Sequence, residues 1–295
     1  MIDQDMLERI TTGKGFIAAL DQSGGSTPKA LKGYGVDESA WSSEEEMFGL
    51  IHEMRSRIVT SPSFTGEKVL GAILFEKTMD GMAGGKPVPA LLRERGVVPF
   101  IKVDKGLEAE ADGVQLMKPM PELDALLERA KALGVVGTKM RSVIHSANED
   151  GIAANVAQQF EFGNRIAEAG MMPILEPEYT ITATDRAEGE VILLDEILKA
   201  LDELPGTRKV MLKLSIPVEA NRYKPLVDHP SVARVVALSG GFTRSEACVE
   251  LAKNTGMIAS FSRALLSDLR HDMSDDQFDA ALASAIDEIY AASIT

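Results

Sequence analysis

Lysines and carboxylates recur inside segments that are otherwise apolar. Lys213 and Lys139 each lie in such a run, and Glu176 and Glu178 lie two residues apart in another. A lysine in a low-dielectric pocket beside another cation loses its proton more readily and becomes a nucleophilic amine. A neutral amine attacks a ketone to form an iminium, and nearby carboxylates can remove and return the protons of that step. These residue types therefore predict amine–carbonyl chemistry that needs neither a metal nor a cofactor.

Lys213 is the better nucleophile candidate because its segment, VMLKLSI, carries no other charge. Lys139 lies two residues from Arg141 and is interpreted as a supporting charge. The alternative is a buried structural network of ion pairs, which proteins can contain without any chemistry. Several ionisable residues at corresponding positions of consecutive segments favour a catalytic site over that alternative.

Two stretches rich in glycine and serine are candidate anion sites. In the first, Ser239, Gly240 and Gly241 follow an apolar run, and Arg263 follows the next run. Glycines let backbone N–H groups approach an anion, serine adds a hydroxyl donor, and arginine adds a forked charge. The second stretch, DQSGGS, begins at Asp21, a candidate base. Such a composition is also common in ordinary turns and helix caps.

Eight short apolar or β-branched segments are predicted as strands. They lie at 16–20, 69–75, 97–103, 137–144, 172–178, 210–216, 232–239 and 258–263. Helical patterns lie at 122–133, 148–169, 191–204 and 243–255, with a last helix at 274–290. The first and last strands start 258 − 16 = 242 residues apart, so seven steps of about 35 residues join them, as suits strand–helix units in a parallel sheet. Thr243 and Glu246 form a candidate capping box at the start of 243–255.

Eight such units favour an α/β fold that closes into a (β/α)8 TIM barrel, over an open doubly wound sheet. The last helix is additional and is expected to pack on the barrel. No linker or low-complexity tract divides the sequence, so we predict one domain over residues 1–295. Barrel enzymes carry their active sites at the carboxyl ends of the strands. The charged residues described above fall at those ends.

Alternation along each strand predicts which side chains face the barrel interior. Lys213 lies on the face opposite Leu212 and Leu214, which are expected to meet the helices. Glu176 and Glu178 share a face of the preceding strand. Because charged groups inside a barrel are costly unless they are paired, we expect these residues to contact one another.

The composition restricts the classes of partner. Acidic residues outnumber basic ones by 45 to 31, and a net charge of −14 disfavours nucleic acid and anionic membranes. One cysteine and four widely spaced histidines favour neither a disulfide framework nor a metal site. The acidic N-terminus is unlike a signal peptide, and no apolar run reaches about 18 residues. We expect a cytoplasmic protein that binds a small molecule, and assembly into a homo-oligomer is compatible with these features.

The strand-end motifs resemble, in order, those of the class I (Schiff-base) fructose-bisphosphate aldolases. They read ALDQS, GAILFE, IKVDKG, KMR, LEPE, LKL, LSGG and SFSRAL, and they span nearly the whole chain. Each motif is weak alone, whereas the ordered set is specific. The resemblance implies a (β/α)8 barrel that cleaves fructose 1,6-bisphosphate, a phosphorylated sugar. The products are dihydroxyacetone phosphate and glyceraldehyde 3-phosphate in glycolysis, and gluconeogenesis uses the reverse reaction.

The resemblance also implies a role for each matched residue. Lys213 matches the lysine that forms the Schiff base with the ketose C2, and Glu176 matches the general acid/base of carbinolamine dehydration. Glu178 supports the charges of Glu176 and the lysines, Asp21 handles the C4 hydroxyl proton during C3–C4 cleavage, and Lys139 stabilises developing negative charge. The residues implied for the C1-phosphate are Ser239, Gly240, Gly241 and Arg263. Those implied for the C6-phosphate are Ser23, Ser26, Lys105 and Arg141.

The chain departs from the longer animal members and looks more like the short bacterial branch. It lacks a tail with a terminal tyrosine, reads LKLS where animal members have proline after the lysine, and reads KMR in place of KWR. Both internal differences fall on outward-facing or flanking positions, so the chemistry is expected to be retained.

Three other functions compete with this interpretation. Transaldolase and deoxyribose-phosphate aldolase also use a Schiff base in a barrel, but their substrates carry one phosphate, whereas two anion sites favour a bisphosphate. A metal-dependent aldolase needs histidines that converge on the metal, and the four widely spaced histidines of this sequence give no sign of such a site. A non-catalytic binding barrel has no need for the complete set of matched ionisable residues, and the fold alone does not decide among these functions.

Overall fold

The computed structural model describes residues 3–295, and its centre is a ring of eight parallel strands. The strands are β1 (Phe16–Leu20), β2 (Val69–Leu74), β3 (Val98–Lys102), β4 (Gly137–Ile144), β5 (Met172–Tyr179), β6 (Val210–Ser215), β7 (Val232–Leu238) and β8 (Ile258–Phe261). Each strand pairs in parallel with its neighbours in sequence, and β1 pairs with β8 to close the ring. The predicted (β/α)8 barrel is confirmed.

Helices surround this ring. They are α1 (Gln4–Thr12), α2 (Thr27–Tyr34), α3 (Glu44–Thr60), α4 (Glu76–Met79), α5 (Val88–Glu94), α6 (Leu123–Ala132), α7 (Glu149–Glu168), α8 (Arg186–Asp202), α9 (Lys224–Val227), α10 (Arg244–Leu251), α11 (Arg263–Leu266) and α12 (Asp275–Ala292). The predicted additional C-terminal helix is α12, whose cap is Ser274. No helix within residues 3–295 is long and apolar enough to cross a membrane.

The sequence patterns locate the start of α10 well and the start of α8 less well, and α10 ends at Leu251, four residues before its predicted end. Thr243 and Glu246 form the predicted capping box: the Glu246 N–H donates to Thr243 Oγ1, and the Thr243 N–H donates to Glu246 Oε2 at 2.9 Å. Helix α8 begins at Arg186, five residues before its predicted start. Gly189 interrupts the apolar pattern there, and a Cβ at this position would lie 1.9 Å from the Tyr179 hydroxyl oxygen. The glycine allows the helix to approach β5 closely.

Two apolar clusters show which way the side chains of each strand point. One cluster fills the barrel interior and the other lies between strands and helices. Met211 belongs to the interior cluster, and Leu212 and Leu214 belong to the outer one, as alternation predicts. The interior strand residues are Ile17, Ala19, Leu70, Ile73, Val98, Phe100, Met172, Ile174, Met211, Ala233, Val236 and Ile258. Polar residues further along the same faces therefore point inward at the carboxyl ends.

Helix α1, which the sequence analysis did not predict, packs against the interior cluster. Its Ile10 is fully buried there, with Met6 and Leu7 beside it. The Arg234 guanidinium on β7 donates to the carbonyl oxygens of Ile10 and Gly13 at 3.1 and 2.9 Å. Because Arg234 lies early in its strand, α1 covers the amino-terminal end of the barrel, away from the charged residues.

Candidate active site

Four buried charged side chains at the carboxyl ends of the strands form one connected group. Lys139 Nζ lies 2.6 Å from Asp21 Oδ2 and 2.7 Å from Glu176 Oε2, and Lys213 Nζ lies 2.9 Å from Glu176 Oε1. None of the four residues is more than 8% exposed. Glu176 thus bridges the two lysines, and β1, β4, β5 and β6 each contribute one member of the group.

The surrounding charges favour the ionised forms of Asp21, Glu176 and Lys139. Burial alone would raise the pKa values of Asp21 and Glu176, but the charges of Lys139 and Lys213 outweigh burial and hold both pKa values below their usual range. Burial alone would lower the pKa of Lys139, yet Asp21 and Glu176 hold that pKa above its usual value. Lys139 is therefore cationic at neutral pH, beside two carboxylates that are ionised at neutral pH.

Glu178 lies on the same strand face as Glu176 but has a different partner. Its Oε2 accepts a hydrogen bond from Arg141 Nε, and the two residues form an ion pair. The resemblance implied that Glu178 supports the lysines. In the structure, Glu178 forms its ion pair with Arg141, whose side chain is more exposed than that of Lys139.

Lys102 and Asp104 extend the group, and the sequence analysis missed both. Lys102 Nζ lies 2.6 Å from Asp104 Oδ1, and Asp104 Oδ2 accepts from the Arg141 backbone N–H at 3.2 Å. Lys102 is in register with Lys139 on the neighbouring strand, and it follows the interior residue Phe100 by two positions. That alternation in β3 was the available signal.

Lys105, predicted as a ligand of the C6-phosphate, is held elsewhere. Its ammonium lies 2.9 Å from Glu76 Oε2, and Glu76 also pairs with Arg129 of helix α6. Lys102 and Lys105 both belong to the motif IKVDKG. The structure places Lys102, the first of the two, on the strand face that points into the barrel. Lys102 is thus the lysine of this motif that faces the barrel interior, and the role of Lys105 at the C6-phosphate stays a prediction.

The structure brings together the parts of the first anion site. Gly240 and Gly241 have φ values of +59° and +128°, and the Phe242 N–H donates to the Ser239 carbonyl oxygen at 2.9 Å to close the turn. A Cβ on Gly241 would lie 3.9 Å from Arg263 Nη2. The guanidinium after β8 therefore lies beside the glycine turn after β7, the arrangement that an anion cradle requires.

The second glycine and serine stretch forms a tight turn before α2. Ser26 Oγ accepts the Ser23 N–H at 3.0 Å and donates to the Ser23 carbonyl oxygen at 2.9 Å. The neighbouring Gln22 donates from Nε2 to Ser262 Oγ at 2.6 Å. This turn therefore contacts the segment that leads into Arg263, as the pairing of β1 with β8 requires.

The family model of class-I fructose-bisphosphate aldolases matches residues 4–213, more than two thirds of the chain. The chain belongs to this family. Among solved structures, the chain is similar to fructose-bisphosphate aldolase from Plasmodium falciparum, solved with TRAP and a small-molecule inhibitor. That similarity has a TM-score of 0.80 at 22% identity and covers 99% of this chain and 95% of that one. At this identity the likeness shows the fold.

A second structural neighbour of this aldolase family member is Cgl0159 from Corynebacterium glutamicum. The TM-score is 0.56 at 16% identity, with 99% of this chain and 92% of that chain covered. Within residues 3–295, no group of three or more histidine, cysteine, aspartate or glutamate side chains is arranged to hold a metal ion. The lysines at the strand ends of the class-I aldolase barrel are instead paired with carboxylates.

Proposed function

We propose that this protein is a metal-independent fructose-1,6-bisphosphate aldolase that works through a Schiff base on Lys213. The observation that carries the proposal is the buried chain of ion pairs from Asp21 through Lys139 and Glu176 to Lys213. Membership of the aldolase family supports an aldehyde-lyase activity. We further propose a place in glycolysis and gluconeogenesis in the cytoplasm, with no nucleic acid or membrane as partner and with the barrel as a single domain.

Schiff-base formation uses the Lys213–Glu176 pair. Glu176 Oε1, 2.9 Å from Lys213 Nζ, takes a proton and frees the amine to attack the C2 carbonyl of the ketose. Glu176 then returns that proton to the carbinolamine hydroxyl, which leaves as water. The product is an iminium between Lys213 and C2, and Glu176 is again a carboxylate.

Carbon–carbon cleavage uses Asp21. The Asp21 carboxylate takes the proton of the C4 hydroxyl, a C4 carbonyl forms, and the C3–C4 bond breaks. The electron pair of that bond moves towards C2 and neutralises the iminium to an enamine. Glyceraldehyde 3-phosphate leaves, and Asp21 releases to solvent the proton that it took. The enamine takes a proton from solvent at C3 and becomes an iminium again. Its hydrolysis releases dihydroxyacetone phosphate and returns Lys213 to its ammonium form.

The two anion turns fix the substrate at both ends. The C1-phosphate would lie against Ser239, Gly240, Gly241 and Arg263, and the C6-phosphate near Ser23, Ser26 and Arg141. Lys139 remains between the two ends and stabilises negative charge as it develops. Anchoring of both phosphates places C2 at Lys213 and the C4 hydroxyl at Asp21, which converts binding energy into orientation.

Cleavage of fructose 1,6-bisphosphate in the presence of a chelator tests this function. We expect the purified protein to cleave the bisphosphate at the same rate with and without EDTA, because an amine supplies the electron sink. The rate is followed by coupling the triose products to a dehydrogenase whose own activity survives EDTA. Loss of activity in EDTA with recovery on Zn²⁺ addition would contradict the proposal, and so would no cleavage under either condition.

Gly240→Ala is expected to weaken binding of the bisphosphate. Gly240 has a φ of +59°, and an added Cβ would lie 2.5 Å from Ile181 Cγ2. Strain of this kind costs about 1–3 kcal/mol. Since about 1.4 kcal/mol of lost binding is a tenfold change, we expect the KM to rise about tenfold or more. Steady-state kinetics measure this change.

Gly206→Ala is the matched control for that substitution. Gly206 has the same φ of +59°, but nothing lies within 4 Å of its Cβ position, and it precedes β6 at the opposite end of the barrel. Its backbone strain is comparable, so it should lower stability without changing KM. An equal rise of KM in both variants would remove Gly240 from the phosphate site.

A further inference from the structure

Arg55 is a fully buried cation that the mechanism above does not use. It lies on α3 at 0% exposure, beside Met54 on the buried face of that helix. Within residues 3–295 no carboxylate lies at ion-pair distance from its guanidinium. Its nitrogens instead donate to Thr78 Oγ1 at 2.9 Å, to the Gln22 carbonyl oxygen, and to Gln22 Oε1 at 3.1 Å.

A buried guanidinium without a carboxylate is costly. Burial lowers the pKa of Arg55 to about 10, although the charge of Asp21 acts in the opposite direction. The group therefore remains cationic at neutral pH. An apolar residue could fill the same position on α3 at no electrostatic cost, so the charge and its three hydrogen bonds need another explanation.

The contacts of Arg55 continue into the turn after β1 and to the residue that precedes Arg263. Gln22 follows Asp21 directly, and while its Oε1 accepts from Arg55, its Nε2 donates to Ser262 Oγ at 2.6 Å. Ser262 in turn precedes Arg263. One continuous run of hydrogen bonds therefore joins α3 to the turn after β1 and the turn after β8.

Arg55 also changes the net charge of the buried groups near the strand ends. The buried charges near the strand ends otherwise cancel, with three lysines against three carboxylates. These are Lys102, Lys139 and Lys213 against Asp104, Asp21 and Glu176. Arg55 adds one positive charge behind the Asp21–Gln22 segment that no carboxylate cancels at close range. A positive surplus suits a substrate with two phosphates.

We propose that Arg55 is a positioning residue for the cleavage step, holding the Asp21–Gln22 segment where the Asp21 carboxylate meets the C4 hydroxyl. This inference rests on the proposed function. It differs from a purely structural role because Schiff-base formation at Lys213 does not depend on the Asp21–Gln22 segment.

Two readouts on Arg55→Met separate the two roles. Dihydroxyacetone phosphate trapped by borohydride on Lys213 reports Schiff-base formation, which needs Lys213, Glu176 and the C1-phosphate turn. The kcat for fructose 1,6-bisphosphate also needs Asp21 in place. We expect unchanged trapping per folded protein, with a kcat about 100-fold lower, the size of effect that a misplacement of about 1 Å produces. Arg55→Lys keeps the charge but not the forked geometry, and is expected to recover part of the kcat.

Gln22→Leu provides an independent check of the same run of hydrogen bonds. If Arg55 acts through Gln22, the double variant Arg55→Met/Gln22→Leu loses no more kcat than the single Arg55→Met variant. Arg57→Met is the matched control on α3, because Arg57 pairs with Asp275 and lies over the Phe278 ring. Arg57→Met should change stability. It should not lower the kcat for fructose 1,6-bisphosphate relative to the amount of dihydroxyacetone phosphate trapped on Lys213.

The outcomes are distinguishable. Equal loss of trapping and kcat in Arg55→Met would show a structural role only, and unchanged kcat would also overturn the proposal. Additive losses in the double variant would mean that Arg55 does not act through Gln22. Absence of trapping in the unmodified protein would instead reject the Schiff-base function itself.

Discussion

Replacement of Lys213 by methionine is expected to abolish cleavage of fructose 1,6-bisphosphate. Methionine fills a similar volume but has no amine, so neither the carbinolamine nor the iminium can form. Loss of a covalent nucleophile lowers kcat by about 10⁵-fold or more. The fold should survive, because Glu176 keeps its second partner, Lys139, at 2.7 Å. The coupled cleavage assay and a urea unfolding curve measure the two expectations.

Lys68→Met is the control for this substitution. Lys68 pairs with Asp287 at 2.5 Å on the protein surface, and precedes β2 at the amino-terminal end of the barrel. Its loss should leave kcat unchanged. Retention of substantial cleavage activity in Lys213→Met would mean that another residue is the nucleophile. An equal loss of activity in a well-folded Lys68→Met variant would mean that the loss in Lys213→Met does not report the Lys213 amine.

Glu176→Gln is expected to have the second largest effect. The amide can no longer take the proton of Lys213 or return it to the carbinolamine, and loss of a general acid/base lowers the rate by about 10²–10⁴-fold. Both buried lysines also lose a counter-charge at 2.7 and 2.9 Å. Breaking a buried pair costs about 3–5 kcal/mol. We therefore expect a lower kcat together with a lower free energy of unfolding.

Glu178→Gln is the matched control for Glu176→Gln. It makes the same chemical change two residues along the same strand face, where the partner is the more exposed Arg141. Because solvent screens that pair, its loss should cost less stability and less kcat than the loss of Glu176. A larger effect from Glu178→Gln would reverse the assignment of the acid/base.

Strand alternation was sufficient to predict the inward direction of Lys213 and Glu176, because an apolar strand with one charged position leaves little choice of face. The regular spacing of the eight strands along the sequence was sufficient to predict the barrel. Both patterns are local and repeat along the chain. The partner of each charge is not local: Glu178 could pair with a lysine or with Arg141, and only the twist of β4 against β5 decides.

Two features that the sequence did not reveal, the inward position of Lys102 and the burial of Arg55, have the same physical origin. Lys102 and Lys105 are both lysines of one motif, and the choice between them requires the end of β3 and the direction of the following loop. Arg55 lies on a helix that contributes no strand-end motif, in a buried face made mostly of apolar residues. Its contact with Gln22, 33 residues away, depends on how α3 packs against the segment that follows β1. Local patterns carry no information about such a contact.

Borohydride trapping of dihydroxyacetone phosphate shows whether Lys213 forms a Schiff base. The protein is incubated with dihydroxyacetone phosphate in EDTA, reduced with borohydride and digested, and the modified peptide is located by mass spectrometry. The account predicts one adduct, on Lys213, that is absent from Lys213→Met and present in Lys68→Met. No adduct, or adducts only on scattered surface lysines, would contradict Schiff-base catalysis in this barrel.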